Sequence, residues 1–259
     1  MASRIRGDRF GLLTFLSLAE KPRAAGAFVQ GLVGTFTQIK KDGDWINLTT
    51  GKNADADELG KISIPDGLKP NPKYFRFRFY LKEHLFIFET GNGGLRMTPR
   101  NAKALFDRQF SAEKVLEEFG KVEVTCIPKR SQVETILKDP NLRHLHLVIH
   151  APNPDDGSAA ERAFMKRLNS MQAQRLETHV HAKQDQAIKP DADLKQAARI
   201  AAQNGAVNAT ILRDGRTVSV SSTNQPLIYV HTYYTEVNTE EAEFGIACEA
   251  VRHQLRNRK

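Results

Sequence analysis

Residues 74–80, Tyr-Phe-Arg-Phe-Arg-Phe-Tyr, alternate aromatic and basic side chains almost without a break. Successive side chains on an extended backbone point to opposite faces, so a period of two commits this segment to a β-strand with one aromatic and one basic face. Arg76 and Arg78 share the basic face, about 7 Å apart by strand rise. Phe75, Phe77 and Phe79 belong to the core, and Tyr74 or Tyr80 can stack on bases only if exposed.

The rest of the chain alternates strands and helices. Residues 85–89 read as a second, more buried strand after a turn at Glu83-His84. Thr98 followed by Pro99 is a helix start, with the hydroxyl as cap and proline in the first turn. Ser111 can cap a short helix that Gly120 ends. Residues 121–127 and 142–150 alternate as strands, and Ser131 with Glu134 matches a capping box between them. Asp155-Asp156 sits in a Pro-Asn-Pro turn before a helix over 158–171. Residues 175–183 are ambiguous. A helix over 191–204 closes at Gly205. Residues 207–212 and 217–222 flank Asp214-Gly215, a strong hairpin signal. A strand over 227–233 and a final helix to about Arg256 complete the chain. Residues 1–60 lack a clean period, apart from a strand ending at 36–39, a short strand at 45–48 and a polar loop over 49–68. The order predicts an α+β fold: a mixed β-sheet with flanking helices, a late β-hairpin and a C-terminal helix. We divide it at about 150, with a mixed α/β core carrying the basic strand over 1–150 and the helix, hairpin and C-terminal helix over 151–259; the alternative is a single domain.

Composition narrows the function classes. The 259 residues are 40% hydrophobic and 26% charged, as folded chains are. No apolar run reaches the roughly 18 residues of a membrane span. The stretch 10–18 is short and lacks a cleavage site, so it does not read as a signal peptide. Cys126 and Cys248 stand apart, which excludes a disulfide scaffold and a cysteine zinc site and fits a cytoplasmic location. The formal charge is +8, with 38 Lys and Arg against 30 Asp and Glu. Polyanions, above all nucleic acid, are the expected partner class.

Basic residues cluster along the chain. Lys61, Lys69, Lys73, Arg76, Arg78 and Lys82 meet a single acid, Asp66, over 61–82. Arg96, Arg100, Lys103 and Arg108 flank or lie on the Thr98 helix, and Lys129-Arg130 sits on a turn. The expected phosphate contacts are Arg76, Arg78, Arg96, Arg100, Lys103, Lys129 and Arg130. The bland alternative is a solvated strand face and ordinary helix charges.

Two other groups hold chemistry-bearing side chains. His144-Leu145-His146 and His179-Val180-His181 each put two imidazoles on one face if both are strands, with His150 following on the first. Such pairs can bind zinc or another transition metal. They lack the serine or threonine of two-histidine phosphoesterases, and strand imidazoles are more often simply polar. Asp155-Asp156 is explained by turn chemistry and helix capping. No phosphate-binding glycine loop or nucleophile elbow occurs. The sequence therefore assigns no metal ligand, no cofactor and no catalytic residue, and favours a protein that is not an enzyme.

Arg76 to Tyr80 with Glu83 to Glu89, then Lys121 to Thr125 with Ile127-Pro128, then Pro152 to Asp156, is similar to an uncharacterised bacterial family of about this length, known as a domain of unknown function. The resemblance covers about residues 73–205 and rests on structural motifs. The layout also resembles, more loosely, phage-exclusion proteins of the RexA type. That likeness implies a dimer that binds DNA without strong sequence preference and acts in phage exclusion or defence. The reading is a cytoplasmic homodimer that binds nucleic acid; its alternatives are a metal-dependent nuclease or phosphoesterase, and a protein-sensing interaction module.

Overall fold

A computed structural model describes residues 2–19, 21, 26–40, 42–92, 94–151 and 159–256. The Asp155-Asp156 turn lies outside the described residues. The fold is α+β, and the chain divides into two units: 1–19, 29–78 and 88–122 in the first, and 20–28, 79–87 and 123–259 in the second.

The opening of the chain, unreadable by period, is mostly strand. β1 (Ser3–Arg6), β2 (Arg9–Ala19) and β3 (Phe28–Thr37) lead into small elements, β4 (Ile46–Asn47), β5 (Lys52–Asn53) and α1 (Ala56–Gly60). The polar loop expected over 49–68 thus contains a helical turn, closed by a reciprocal capping box of Asp55 and Glu58. β6 (Lys73–Tyr80) is the alternating strand, and β7 (Leu85–Phe88) returns beside it. The sheet order is β1-β2-β3-β6-β7. β8 (Gly91–Asn92) and β9 (Leu95–Arg96) form a small ribbon before α2 (Pro99–Phe110) and α3 (Glu113–Phe119). Thr98 caps α2 through the Asn101 amide, with proline in its first turn. Ala112, not Ser111, stands at the start of α3, and no side chain caps it. Ile5, Val33, Phe75, Phe77, Leu105 and Phe106 are buried in the first unit.

In the second unit, α4 (Arg130–Leu137) and β10 (Leu142–His150) are followed by α5 (Ala159–Ser170), β11 (Arg175–His181), α6 (Ala192–Gln203), β12 (Gly205–Arg213) and β13 (Arg216–Ser221). A 3₁₀ turn (Ser222–Asn224) and α7 (Glu240–Arg256) end it. The sheet order is β11-β10-β12-β13, with antiparallel pairings throughout. Asp214 and Gly215 both take positive φ, 47° and 73°, as the tight hairpin turn demands.

Alternation divides this sheet into two faces. Leu145, Leu147 and Ile149 join Val207, Ala209 and Ile211 in a core with Val133 and Ile136 of α4 and Ala198 and Ala201 of α6. Each fully buried leucine there contributes about 1.5–3 kcal/mol. The opposite face carries His144, His146 and His150.

Three further local expectations fail. Residues 121–127 and 227–233 are not assigned as strands; they meet at one isolated bridge, Pro128 to Pro226. Proline has no N–H to continue a ladder; Lys129 N–H donates to the Gln225 carbonyl and Leu227 N–H to the Ile127 carbonyl on either side of the bridge. The Ser131–Glu134 capping box does not form. The helix begins at Arg130, and the Ser131 carbonyl accepts from the Thr135 hydroxyl inside it.

Candidate functional site

The seven cations expected at phosphates fall into both units. Arg76 lies on β6 and is tied to Glu89, whose carboxylate accepts from the Arg76 amide at 3.1 Å and from its guanidinium at 3.4 Å. Arg78 is half-buried on the same strand. Lys103 bonds Asp107 at 2.6 Å, one helical turn on. Arg96 and Arg100 are exposed. Lys129 and Arg130 are exposed at the start of α4, in the second unit. Tyr74 is 53% exposed, whereas Tyr80 is fully buried and donates to Glu249 at 2.7 Å, so it offers no base a platform.

One contact enlarges the cationic group beyond what the sequence indicated. The Arg108 guanidinium donates to the backbone carbonyls of Arg4 and, at 3.1 Å, Ile5, which seats β1 against α2. The exposed Arg4 and Arg6 of β1 thereby join Arg100, Lys103 and Arg108 of α2. Residues 4–9 and 96–108 hold seven cations against two carboxylates, Asp8 and Asp107, a balance of +5. The remainder of the first unit carries ten of each sign, so its whole excess charge sits in these two segments. No local pattern marks β1 as part of this group, because the contact joins residues 104 apart.

The histidine pairs meet on the second sheet. β11 is a strand, and its register sets His144 opposite His181 and His146 opposite His179. The paired rings stack nearly parallel, with centroids 4.3 Å apart in the first pair and 4.0 Å in the second. His144 Nε2 lies 3.2 Å from His179 Nδ1, and His146 Nε2 lies 2.7 Å from a Glu177 carboxylate oxygen. Two sets of potential metal donors result, His144 with His179 and His181, and His146 with Glu177 and His179. Within each set the donor atoms lie within 4.8 Å of one another. His150, farther along β10, is 3.9 Å from Glu123.

Crowding shapes the titration of this cluster. Partial burial, then repulsion from His181, His179 and His146, holds His144 below the ordinary imidazole range. The His146 hydrogen bond, with attraction from Arg175, His146 and His179, outweighs desolvation and holds Glu177 below the usual carboxylate range. A depressed folded value at His144 means that the unfolded chain takes up its proton first as pH falls. Stability is therefore lost from about pH 6.5 downwards. The thermal midpoint should fall between about pH 7.5 and about pH 5.5, and His144→Asn should remove part of that fall. An identical fall in the variant would exclude His144 as its source.

Among the described residues no helix is long and apolar enough to cross a membrane. Comparison with curated proteins and with solved structures gives no match. A family model, described as a domain of unknown function (DUF4747), matches residues 1–249, nearly the whole length and far more than the central similarity noted in the sequence. The chain, with its strand-rich first unit and its histidine-bearing second sheet, belongs to the DUF4747 family.

Proposed function

We propose that the chain binds nucleic acid, DNA favoured, without sequence specificity, through the cationic surface of β1 and α2. The observation that carries this reading is the +5 balance of residues 4–9 and 96–108, joined by the Arg108 contacts to β1. Phosphate groups reward cations that stand free of carboxylates and give up counterions on contact. Arg6, Arg96 and Arg100 are exposed and have no carboxylate within ion-pair distance among the described residues, whereas Arg76 is engaged by Glu89.

Fluorescence anisotropy with labelled duplex and single-stranded DNA and RNA, over a range of salt, tests the reading. Arg6→Ala/Arg100→Ala should weaken binding and reduce the slope of log affinity against log salt by about 1.8 on a duplex, for two lost phosphate contacts. Arg76→Ala/Arg78→Ala should change the slope less. No salt-sensitive binding by the wild-type chain, or a slope unmoved in the first variant, would overturn the proposal. Cleavage of the probe on adding divalent metal would favour a nuclease instead.

From the looser resemblance in layout read in the sequence, we further propose that this binding serves phage exclusion by a homodimer. Cells making the protein should then plate phage less efficiently than cells making Arg6→Ala/Arg100→Ala, and equal plating would remove that role. Light scattering at the monomer mass of 29.1 kDa, across concentration, would remove the dimer.

A further inference from the structure

The imidazoles of His144, His146, His179 and His181 on β10 and β11 take no part in the cationic surface and lie wholly in the second unit. Their placement follows from the sequence. Two His-x-His segments on adjacent antiparallel strands put every histidine on one face, and the register brings them opposite one another rather than out of step. The other face of the same strands is closed by the apolar core, which fixes the backbone beneath the rings.

We propose that His144, His179 and His181 form a binding site for a divalent transition-metal ion of the zinc class, with its outer side open to solvent. Two nitrogens on one tetrahedral zinc, each at about 2.0–2.1 Å, stand about 3.3 Å apart. His144 Nε2 and His179 Nδ1 are already 3.2 Å apart. His181 is exposed, makes no hydrogen bond among the described residues and stacks only on neighbouring imidazoles. Its donor lies within 4.8 Å of the other two, so a modest ring rotation completes the set.

The competing set is less suited. His146 and Glu177 lie 2.7 Å apart, a hydrogen-bond distance that satisfies both without an ion. Glu177 also pairs with Arg175 at 2.7 Å. An all-nitrogen donor set selects zinc, copper or nickel over magnesium and calcium, which need oxygen cages. Three protein ligands leave a fourth position for water or a substrate atom.

The test uses the untagged full chain, stripped with chelator and titrated with zinc against a chromophoric competitor at neutral pH. One zinc per chain is expected, with magnesium unable to displace it. His144→Ala and His181→Ala should each weaken zinc binding about tenfold or more. Glu177→Gln and His150→Ala should leave it within about threefold. Cobalt(II) should give the visible absorption of a tetrahedral site in the wild-type chain and lose it in His181→Ala.

Circular dichroism of the metal-free variants checks that the fold survives. His181 is exposed on the edge strand, so its truncation removes no core contact even if His144→Ala fails to fold. No competition for zinc by the wild-type chain would overturn the site. Equal affinity in His181→Ala, or loss in Glu177→Gln with His181→Ala unaffected, would overturn this ligand set. The nucleic-acid reading stands or falls separately, on the anisotropy of Arg6→Ala/Arg100→Ala.

Discussion

Arg252→Met is expected to destabilise the second unit by about 3–5 kcal/mol, because the buried Glu83 carboxylate loses two charge-assisted hydrogen bonds and keeps only the one from the exposed Arg256. Glu83, in the tight turn after β6, has a side chain only 8% exposed. Its Oε1 accepts from Arg252 Nε at 2.7 Å, from a second nitrogen of the same guanidinium, and from Arg256 at 2.5 Å. The guanidinium of Arg252 also lies over the Tyr80 ring, 4.6 Å from its centroid, and is 3.5 Å from Glu249. Tyr80 in turn donates to Glu249. One side chain of α7 therefore holds a carboxylate, an aromatic face and a second carboxylate together. Burial alone pushes the Glu83 carboxyl up, but the hydrogen bonds from Arg252 and Arg256 outweigh it and hold the group below the usual carboxylate range.

The size of the effect depends on pH in a predictable direction. Because the folded value of Glu83 is depressed, its contribution is complete above the unfolded value and is lost as pH falls through the folded one. At neutral pH Arg252→Met should therefore show its full loss, a fall in thermal midpoint of roughly 6–20 °C. The gap between wild type and variant should narrow below about pH 4.5, as Glu83 is neutralised in both. Glu83→Leu/Arg252→Met should recover much of the loss, since removing both charges also removes the desolvation they cost. Urea unfolding of the two singles and the double measures this. A loss below about 1 kcal/mol for Arg252→Met would mean that Arg256 or water satisfies Glu83 in its place.

These contacts mark the limit of what the sequence shows. The strand at 74–80, the Thr98–Pro99 helix start and the Asp214-Gly215 hairpin were legible because each is dictated by neighbours within a few residues. Tyr80 was not, because its partner Glu249 is 169 residues away and its burial breaks the alternation that Phe75 and Phe77 obey. The contribution of Arg4 and Arg6 to the cationic surface depends on a similarly distant contact, from Arg108. β11 was ambiguous because only Leu176 and Val180 mark its inner face, while Arg175, Glu177, His179 and His181 fill the outer one. The histidines themselves were visible as two pairs. Their convergence required the register of two strands separated by a helix. The strand patterns at 121–127 and 227–233 misled for the opposite reason: the alternation is present, but prolines stand where the ladder would close.

Gly205→Ala should cost about 3 kcal/mol or more, through backbone that has nowhere to go. Gly205 opens β12 opposite Ile149, at the centre of the four-stranded sheet. A Cβ built there would lie 2.1 Å from the Val148 carbonyl oxygen and 2.9 Å from its carbon. Both atoms belong to the central strand β10, which pairs on one side with β11 and on the other with β12. Relief by a side-chain rotation is therefore excluded, and the first residues of β12 must move away from β10. That movement would disturb the His150 amide, which donates to the Asn204 carbonyl at 2.8 Å, and the Val207 amide, which donates to the buried Ser222 hydroxyl at 3.0 Å. Gly60→Ala is the matched control: nothing lies within 4 Å of its added Cβ, and it ends α1, where alanine is the better helix former. The control should be neutral or stabilising by up to about 1 kcal/mol. Hydrogen exchange separates the cause from a general loss of stability. In Gly205→Ala the amides of His150 and Val207 should lose protection before those of Leu145 and Leu147. Uniform loss across the sheet, or a stability within about 1 kcal/mol of wild type, would show that β10 and β12 are not held as close at this point as the sheet requires.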